Sequence, residues 1–343
     1  MKHWILSFLI FTSLSGTCQV LNVSLDSLIS KYESLGTFNG VIVIGCDTQN
    51  IKTYTYGHRN PATKTQLLTA SDRFDLASLT KQFTGLAILQ LAQKKMIDLD
   101  KPIGRYFPEL SPPLKKVTIR QLTNHTNGIH DYYSLTAEHD SLNNSRAMEL
   151  LSNLDTTVFT PGSRWGYSNS GYLLLSQLIE RVTNSTFEQY CTENIFRPLK
   201  MTGAEFQPQT GFLQGFTAEN TAVVANSFSS GAAGLYASAT DMIDYYKSVS
   251  CNKDFKALLN LARTLADSSN EKNWRYGFGW FFTKDSTGKF RAHSGRNKAA
   301  YTYIRWYDYS NIFICILSNK NDDFIKPLRE EICNLAITHC GNN

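Results

Sequence analysis

The 343-residue chain lacks most of the short signatures that assign chemistry at a glance. Its seven histidines form no H-E-x-x-H or comparable pair, and its seven cysteines form no C-x-x-C, so the familiar zinc and dithiol-redox spacings are missing. No metal site and no cofactor is expected. Basic residues number 34 against 29 acidic ones, but they are scattered, without the run of five or six that marks a nucleic-acid arm. No nucleic-acid partner follows from charge. Charged residues are only 18% of the chain and hydrophobic ones 42%, which excludes a disordered main state. There is no internal repeat and no Pro/Gly/Ser-rich linker, so one composite domain is preferred to two independent ones. Past the N-terminus, no apolar stretch approaches the about 20 residues that a spanning helix needs.

What is present begins at the N-terminus. Lys2 and His3 precede an apolar run, Trp4 to Phe11, and a small-residue stretch, Ser13 to Thr17, that ends at Cys18. This is the pattern of a secretory signal peptide. Gly16 and Cys18 suit the −3 and −1 positions, so residues 1–18 are expected to be removed before Gln19, leaving 19–343 as the mature domain in the periplasm or outside the cell. Lipid attachment at Cys18 is the weaker alternative, because Leu14 lies one place too far upstream and Thr17 is bulky. Six cysteines then remain: Cys46, Cys191, Cys251, Cys315, Cys333 and Cys340. An even number in an exported chain permits disulfides. Cys46 and Cys315 sit in apolar strand-like runs and are expected as small buried thiols.

Apolar spacing predicts a helix over Val23 to Leu35, and strands over Val41 to Ile44 and Lys52 to Tyr56 joined by a polar turn. A long apolar helix follows from Ser78 to Met96. Helical pieces broken by Pro, Gly and Asn run from Pro102 to about Ser230. The last hundred residues return to strands, Tyr276 to Phe282, Phe290 to His293, Tyr301 to Tyr307 and Ile312 to Leu317, and close with a helix over Asp323 to Ile337. Strands at both ends around a helical middle predict an α+β fold, with one antiparallel sheet built from the two termini, flanking helices and an inserted helical region. Gly85, inside the first long helix, costs about 1 kcal/mol relative to Ala and calls for close packing against another element.

Three short motifs can carry chemistry. In Ser78-Leu79-Thr80-Lys81 the serine and lysine lie three apart on one helix face, so the amine can sit beside the hydroxyl. A buried lysine gives up part of its preference for the charged form and can take the proton that keeps serine a poor nucleophile. Tyr167-Ser168-Asn169 offers a phenol, whose pKa nearby positive charge would lower, as a proton shuttle. Its asparagine can bond a substrate amide or hold the lysine. His293-Ser294-Gly295 ends a strand; its glycine lets a substrate backbone approach, and its histidine and serine can supply donors for a carboxylate or carbonyl. Each motif alone is common, as a helix face, a packing turn and a hairpin entry.

In this order the three motifs resemble the active site of the serine beta-lactamase and penicillin-binding protein superfamily, where S-x-x-K, Y-x-N and K/H-T/S-G line one cleft. Further segments are similar to that superfamily: Val117 to Ile129 (VTIRQLTNHTNGI), Phe196 to Met201 (FRPLKM, with Lys200 where glycine is usual), Gly231 to Met242 (GAAGLYASATDM) and Tyr276 to Trp280 (YGFGW). The resemblance covers essentially Leu25 to Leu317. It implies a three-layer α/β sandwich and the branch that uses tyrosine: class C beta-lactamases, D-alanyl-D-alanine carboxypeptidases, D-amino-acid peptidases and related esterases. It makes Ser78 the acylated nucleophile, Lys81 its proton acceptor and Tyr167 the general acid and base. Asn169 would bind the acyl-side amide, and His293, Ser294 and Gly295 would line the substrate strand, His293 attracting a carboxylate. The backbone N–H groups of Ser78 and Arg296 would form the oxyanion hole. The function implied is an exported, monomeric serine hydrolase acting on a small-molecule or peptide amide or ester, above all a D-amino-acid-containing peptide derived from peptidoglycan. A class C-like beta-lactamase and a small-ester esterase are the near alternatives, and a catalytically idle cell-wall-binding protein the distant one. Lys298-Ala299-Ala300, where glycine often follows the third motif, and His293 in place of lysine both count against a dedicated beta-lactamase.

Overall fold

A computed structural model of the chain describes residues 25–340, apart from residues 33, 138–141, 224–230, 268–272 and 324. Residues 1–18, expected to form a signal peptide and including Cys18, lie outside the described residues. Seven strands form the main sheet: β1 Gly40–Gly45, β2 Ile51–Tyr56, β3 Arg275–Gly277, β4 Trp280–Lys284, β5 Lys289–Arg296, β6 Tyr301–Tyr307 and β7 Phe313–Ser318. Their order is β3-β4-β5-β6-β7-β1-β2, antiparallel throughout. β1 therefore lies between its own hairpin partner and the last strand of the chain, with Gly40 opposite both Tyr56 and Ser318. The sheet is made from the two ends of the sequence, as its alternating blocks predict.

Successive strand side chains point to opposite faces, and here both faces are buried. Val41, Val43, Cys315 and Leu317 face one core, while Ile42, Ile44, Ile314 and Ile316 face the other. Each such side chain contributes roughly 1.5–3 kcal/mol by leaving water, which is why these strands read as continuous apolar runs. The second core is closed by α1 (residues 25–32) and by the last helix, Ile325–Cys340, through Leu25, Ile29, Ile325, Leu328, Ile332 and Ala336. The first is closed by the helices in between: α2 Thr80–Gln93, α3 Ile119–Thr123, α4 Asn169–Thr183, α5 Ala239–Cys251 and α6 Lys253–Leu265. With Ile325–Cys340 as α7, the result is three layers, helix on sheet on helix. Among the described residues no helix is long and apolar enough to cross a membrane.

Two expectations need correction. The run Tyr276 to Phe282 is not one strand but the hairpin β3-β4, because Phe278 and Gly279 take positive φ angles of 54° and 83° and turn the chain. That turn rests on α2. A Cβ on Gly85 would stand 2.2 Å from the Phe278 carbonyl oxygen, and one on Gly279 would stand 2.5 Å from the Lys81 carbonyl group. The close packing that Gly85 called for is this contact. The second correction concerns Cys46, which is not a buried thiol but forms a disulfide with Cys340 (Cα–Cα 5.1 Å). Cys46 lies one residue beyond the apolar strand β1, at its end, where α7 terminates. Cys191, Cys251, Cys315 and Cys333 are free, Cys315 and Cys333 being buried in the two cores.

Candidate active site

Ser78 sits in a tight turn, Ala77–Leu79, that leads into α2. The turn is held from several sides. The Asp75 carboxylate accepts from the Ala77 N–H (2.8 Å) and, on its other oxygen, from the Asn297 side chain (2.7 Å). Thr302 on β6 donates to the Leu76 carbonyl (2.9 Å), and Thr80 donates to the Ala77 carbonyl (2.7 Å). Together they keep Ala77 at φ +46°, a left-handed conformation that costs a residue with a Cβ roughly 1–2 kcal/mol. Neither Asp75 nor Asn297 was singled out by motif; both flank motifs that were.

The side chains of the first two motifs converge on one oxygen. Ser78 Oγ accepts from Lys81 Nζ at 3.2 Å and from the Tyr167 hydroxyl at 2.9 Å. Lys81 is fully buried, with its amine also bonded to Asn169 Oδ1 and the Ala232 carbonyl, both at 2.9 Å. Burial pushes its pKa down to about 7, against the opposing pull of the Asp131 carboxylate. Asp131, absent from every motif, reaches the lysine through Asn169, whose backbone N–H and side-chain amide both donate to Asp131 Oδ2 at 3.0 Å. Asn169 is thereby committed at both ends of its side chain. These bonds give it the lysine-holding role and use one of its two amide hydrogens and one lone pair of its oxygen.

Tyr167 is 37% exposed at the cleft. Packing around its hydroxyl, with some help from Asp131, raises the phenol above its ordinary range, and the Ser78 contact opposes this only in part. The expected lowering by a neighbouring cation does not occur, because the cation in question is itself pushed towards neutrality.

The third motif is corrected more substantially. His293 lies on β5 beside the cleft but is buried, under the rings of Tyr276, Phe281 and Tyr167. Its Nδ1 lies 2.8 Å from the Ser294 carbonyl, which can only accept, so Nδ1 carries the proton and Nε2 accepts from the Tyr276 hydroxyl at 3.1 Å. Burial and the nearby Lys81 amine lower its pKa to about 3. It is a neutral residue with both nitrogens occupied, not a cation poised for a carboxylate. Ser294 is half-buried. Gly295 does what its type allows: a Cβ there would come within 2.2 Å of the Leu76 carbonyl and 3.1 Å of the Ser78 nitrogen. The strand thus passes directly along the nucleophile turn. Arg296 ends β5, its guanidinium turned to Asn321 (2.9 Å) and Asp323 (2.8 Å).

With these groups in one cleft, the comparisons become decisive. A family model described as Beta-lactamase matches residues 25–331. The chain belongs to the beta-lactamase family. Among curated relatives, Protein flp of Staphylococcus aureus (strain MW2) is 28% identical over 304 residues, covering 83% of this chain and 60% of the relative. Penicillin-binding protein 4* of Bacillus subtilis (strain 168) is 27% identical over 329 residues, covering 86% and 72%. The chain thus spans about 60% of the length of the first of these. Two solved structures share the fold: a beta-lactamase/D-alanine carboxypeptidase from Pseudomonas syringae (TM-score 0.79, 19% identity, 93% of this chain and 99% of that one) and a penicillin-binding protein from Bacillus halodurans (0.77, 20%, 91% and 99%).

Proposed function

We propose that the protein is an exported hydrolase that acylates Ser78 with an amide or ester and returns the acyl group to water, its substrate a D-amino-acid-containing peptide of cell-wall type. The observation that carries this is the double contact on Ser78 Oγ, from an amine whose pKa is held at about 7 and from a phenol. In the neutral form Lys81 takes the serine proton as Oγ attacks the carbonyl. The oxyanion that forms meets the backbone N–H groups of Ser78 and Arg296, each such donor being worth about 2.7–4 kcal/mol where measured. Tyr167 hands a proton to the leaving group, and the same groups then act in reverse on the attacking water. The names of the relatives support the substrate class, as does the preference for peptidase-like chemistry over a dedicated beta-lactamase. Export is supported by the signal pattern and by the Cys46–Cys340 disulfide, which persists in an oxidising compartment.

A second reading, hydrolysis of small uncharged esters, is favoured by one observation: His293 is buried and neutral, so the substrate strand offers no cation at that position. A fluorophosphonate probe should label Ser78 and fail on a folded Ser78→Ala protein. Rates on a D-Ala-D-Ala peptide, a D-amino-acid amide, a chromogenic cephalosporin and a p-nitrophenyl ester then rank the substrates. A peptide or amide in first place supports the leading reading, an ester the second, and silence throughout an idle binding protein.

A further inference from the structure

The segment Thr123 to Gly128 belongs to a stretch whose sequence stood out, yet none of its side chains touches Ser78 or Lys81 in the site described above. Its hydrogen bonds show another task. The chain that leads to Tyr167 is laid along it: Val158 N–H donates to the Gly128 carbonyl (2.7 Å), Gly162 N–H to the Thr126 carbonyl (2.7 Å) and Gly166 N–H to the His125 carbonyl (2.8 Å). The series ends with a side chain, because Ser168 N–H donates to His125 Nδ1 at 3.2 Å. His125 thus grips the residues on both sides of Tyr167, and its ring lies 4.4 Å from the Tyr167 ring, centroid to centroid.

The placement of His125 is costly on three counts. The residue is fully buried. It takes φ +59°, in the left-handed region. If Nδ1 accepts from Ser168, the neutral ring carries its proton on Nε2, and that nitrogen has no hydrogen-bond partner among the described residues. A buried, unpaired N–H forgoes the hydrogen bond it would make in water. The Tyr276 ring also lies against it, tilted, at 4.4 Å between centroids, and Tyr276 bonds in turn to His293. A plain packing residue would need none of this.

We propose that His125 is a positioning residue for the proton-transfer step, setting the Tyr167 hydroxyl on the Ser78 oxygen by holding the flanking Gly166 and Ser168 amides. The inference rests on the role given to Tyr167 under the proposed function. It predicts a particular kind of damage when the Nδ1 acceptor is lost. Leaving groups that need a proton should suffer, and those that depart without one should not.

The experiment compares acylation rates on aryl esters from p-nitrophenyl to unsubstituted phenyl. Tyr167→Phe should lose about tenfold more on the phenyl than on the p-nitrophenyl ester, a part of the roughly 10²–10⁴-fold that general acid–base catalysis supplies. His125→Gln, whose carbonyl cannot reach the Nδ1 position, should show the same steepening. His125→Asn, whose Oδ1 stands where Nδ1 stood, should recover most of it. A uniform loss across the series in His125→Gln, or an Asn variant no better than Gln, overturns the positioning role while leaving Tyr167 its own. A flat series for Tyr167→Phe overturns both. Should the Gln variant not fold, nitrogen-15 spectra of the wild-type protein decide: an unprotonated Nδ1 with a protonated Nε2 on His125 supports the proposal, and a protonated Nδ1 overturns it.

Discussion

The amine of Lys81 meets no bulk water, and that fact governs the pH dependence of the chemistry. Burial favours the neutral amine, so the fraction able to take a proton from Ser78 grows as pH rises through about 7 and is complete above it. Acylation by a fluorophosphonate or ester is expected to rise along that limb and then level. Lys81→Arg should lose more than tenfold at every pH, since a guanidinium releases no proton in the accessible range; stopped acylation assays check both. His293 is shifted in the same direction, far enough to leave the working range. With a pKa of about 3 it is already neutral between about pH 5 and 8, so carboxylate-bearing and uncharged substrates should show the same pH profile there. A carboxylate-specific loss of affinity on the way up would restore the histidine as a cation. Lys200 offers a residue-scale test of stability. It stands exposed at φ +61° where the family usually has glycine, so Lys200→Gly should be neutral or gain up to about 1 kcal/mol while Lys200→Ala gains nothing, as read from urea unfolding.

Among the elements, α2 shows how much of the site was readable in advance. Its apolar run, the S-x-x-K spacing and the anomaly of Gly85 all stood in the sequence, and each has its physical counterpart in the buried amine and in the Phe278 turn pressed onto the helix. Gly85→Ala is expected to destabilise by about 1–2 kcal/mol despite the better helix propensity of alanine, because the added carbon meets backbone that cannot yield. Denaturant unfolding measures it, and a stabilised variant would mean that the turn moves freely. What could not be read is instructive in the same terms. Tyr276 to Phe282 is aromatic apart from Gly277 and Gly279, and left-handed angles at Phe278 and Gly279 split it. Asp131, Asp75 and Asn297 carry no local periodicity, since their meaning lies in partners far along the chain. His293 looked like a cation because its type and motif position were visible and the three rings that cover it were not.

At the scale of the whole molecule, the bond between Cys46 and Cys340 ties the sheet to the helix that closes its far face. Its two ends are 294 residues apart, so the chain-entropy picture assigns it roughly 6 kcal/mol of stabilisation. Reduction, or Cys340→Ser, should lower the unfolding midpoint substantially. The Ser78 cleft lies on the opposite face, so labelling of Ser78 in the folded fraction should persist. Loss of labelling at temperatures where the reduced protein remains folded would show that the two faces are coupled. Pairing among six cysteines cannot be deduced from spacing alone, which is why this link was legible only as a possibility.

The position of β1 between β2 and β7 has a consequence in time. As the chain is synthesised, the strand that begins at Gly40 appears early, yet one of its two neighbours does not exist until Ser318 has been added. Through most of synthesis β1 has only its hairpin partner, and a lone two-stranded hairpin is marginal in water. The Ser78 turn is built against β5 and β6, which are likewise made long after it. The nascent chain therefore cannot assemble its nucleophile site early, and any reactivity of Ser78 must await the strands that close the sheet. Chains stalled short of residue 318 should remain unlabelled by a fluorophosphonate, and those released in full should acquire labelling in a single late step.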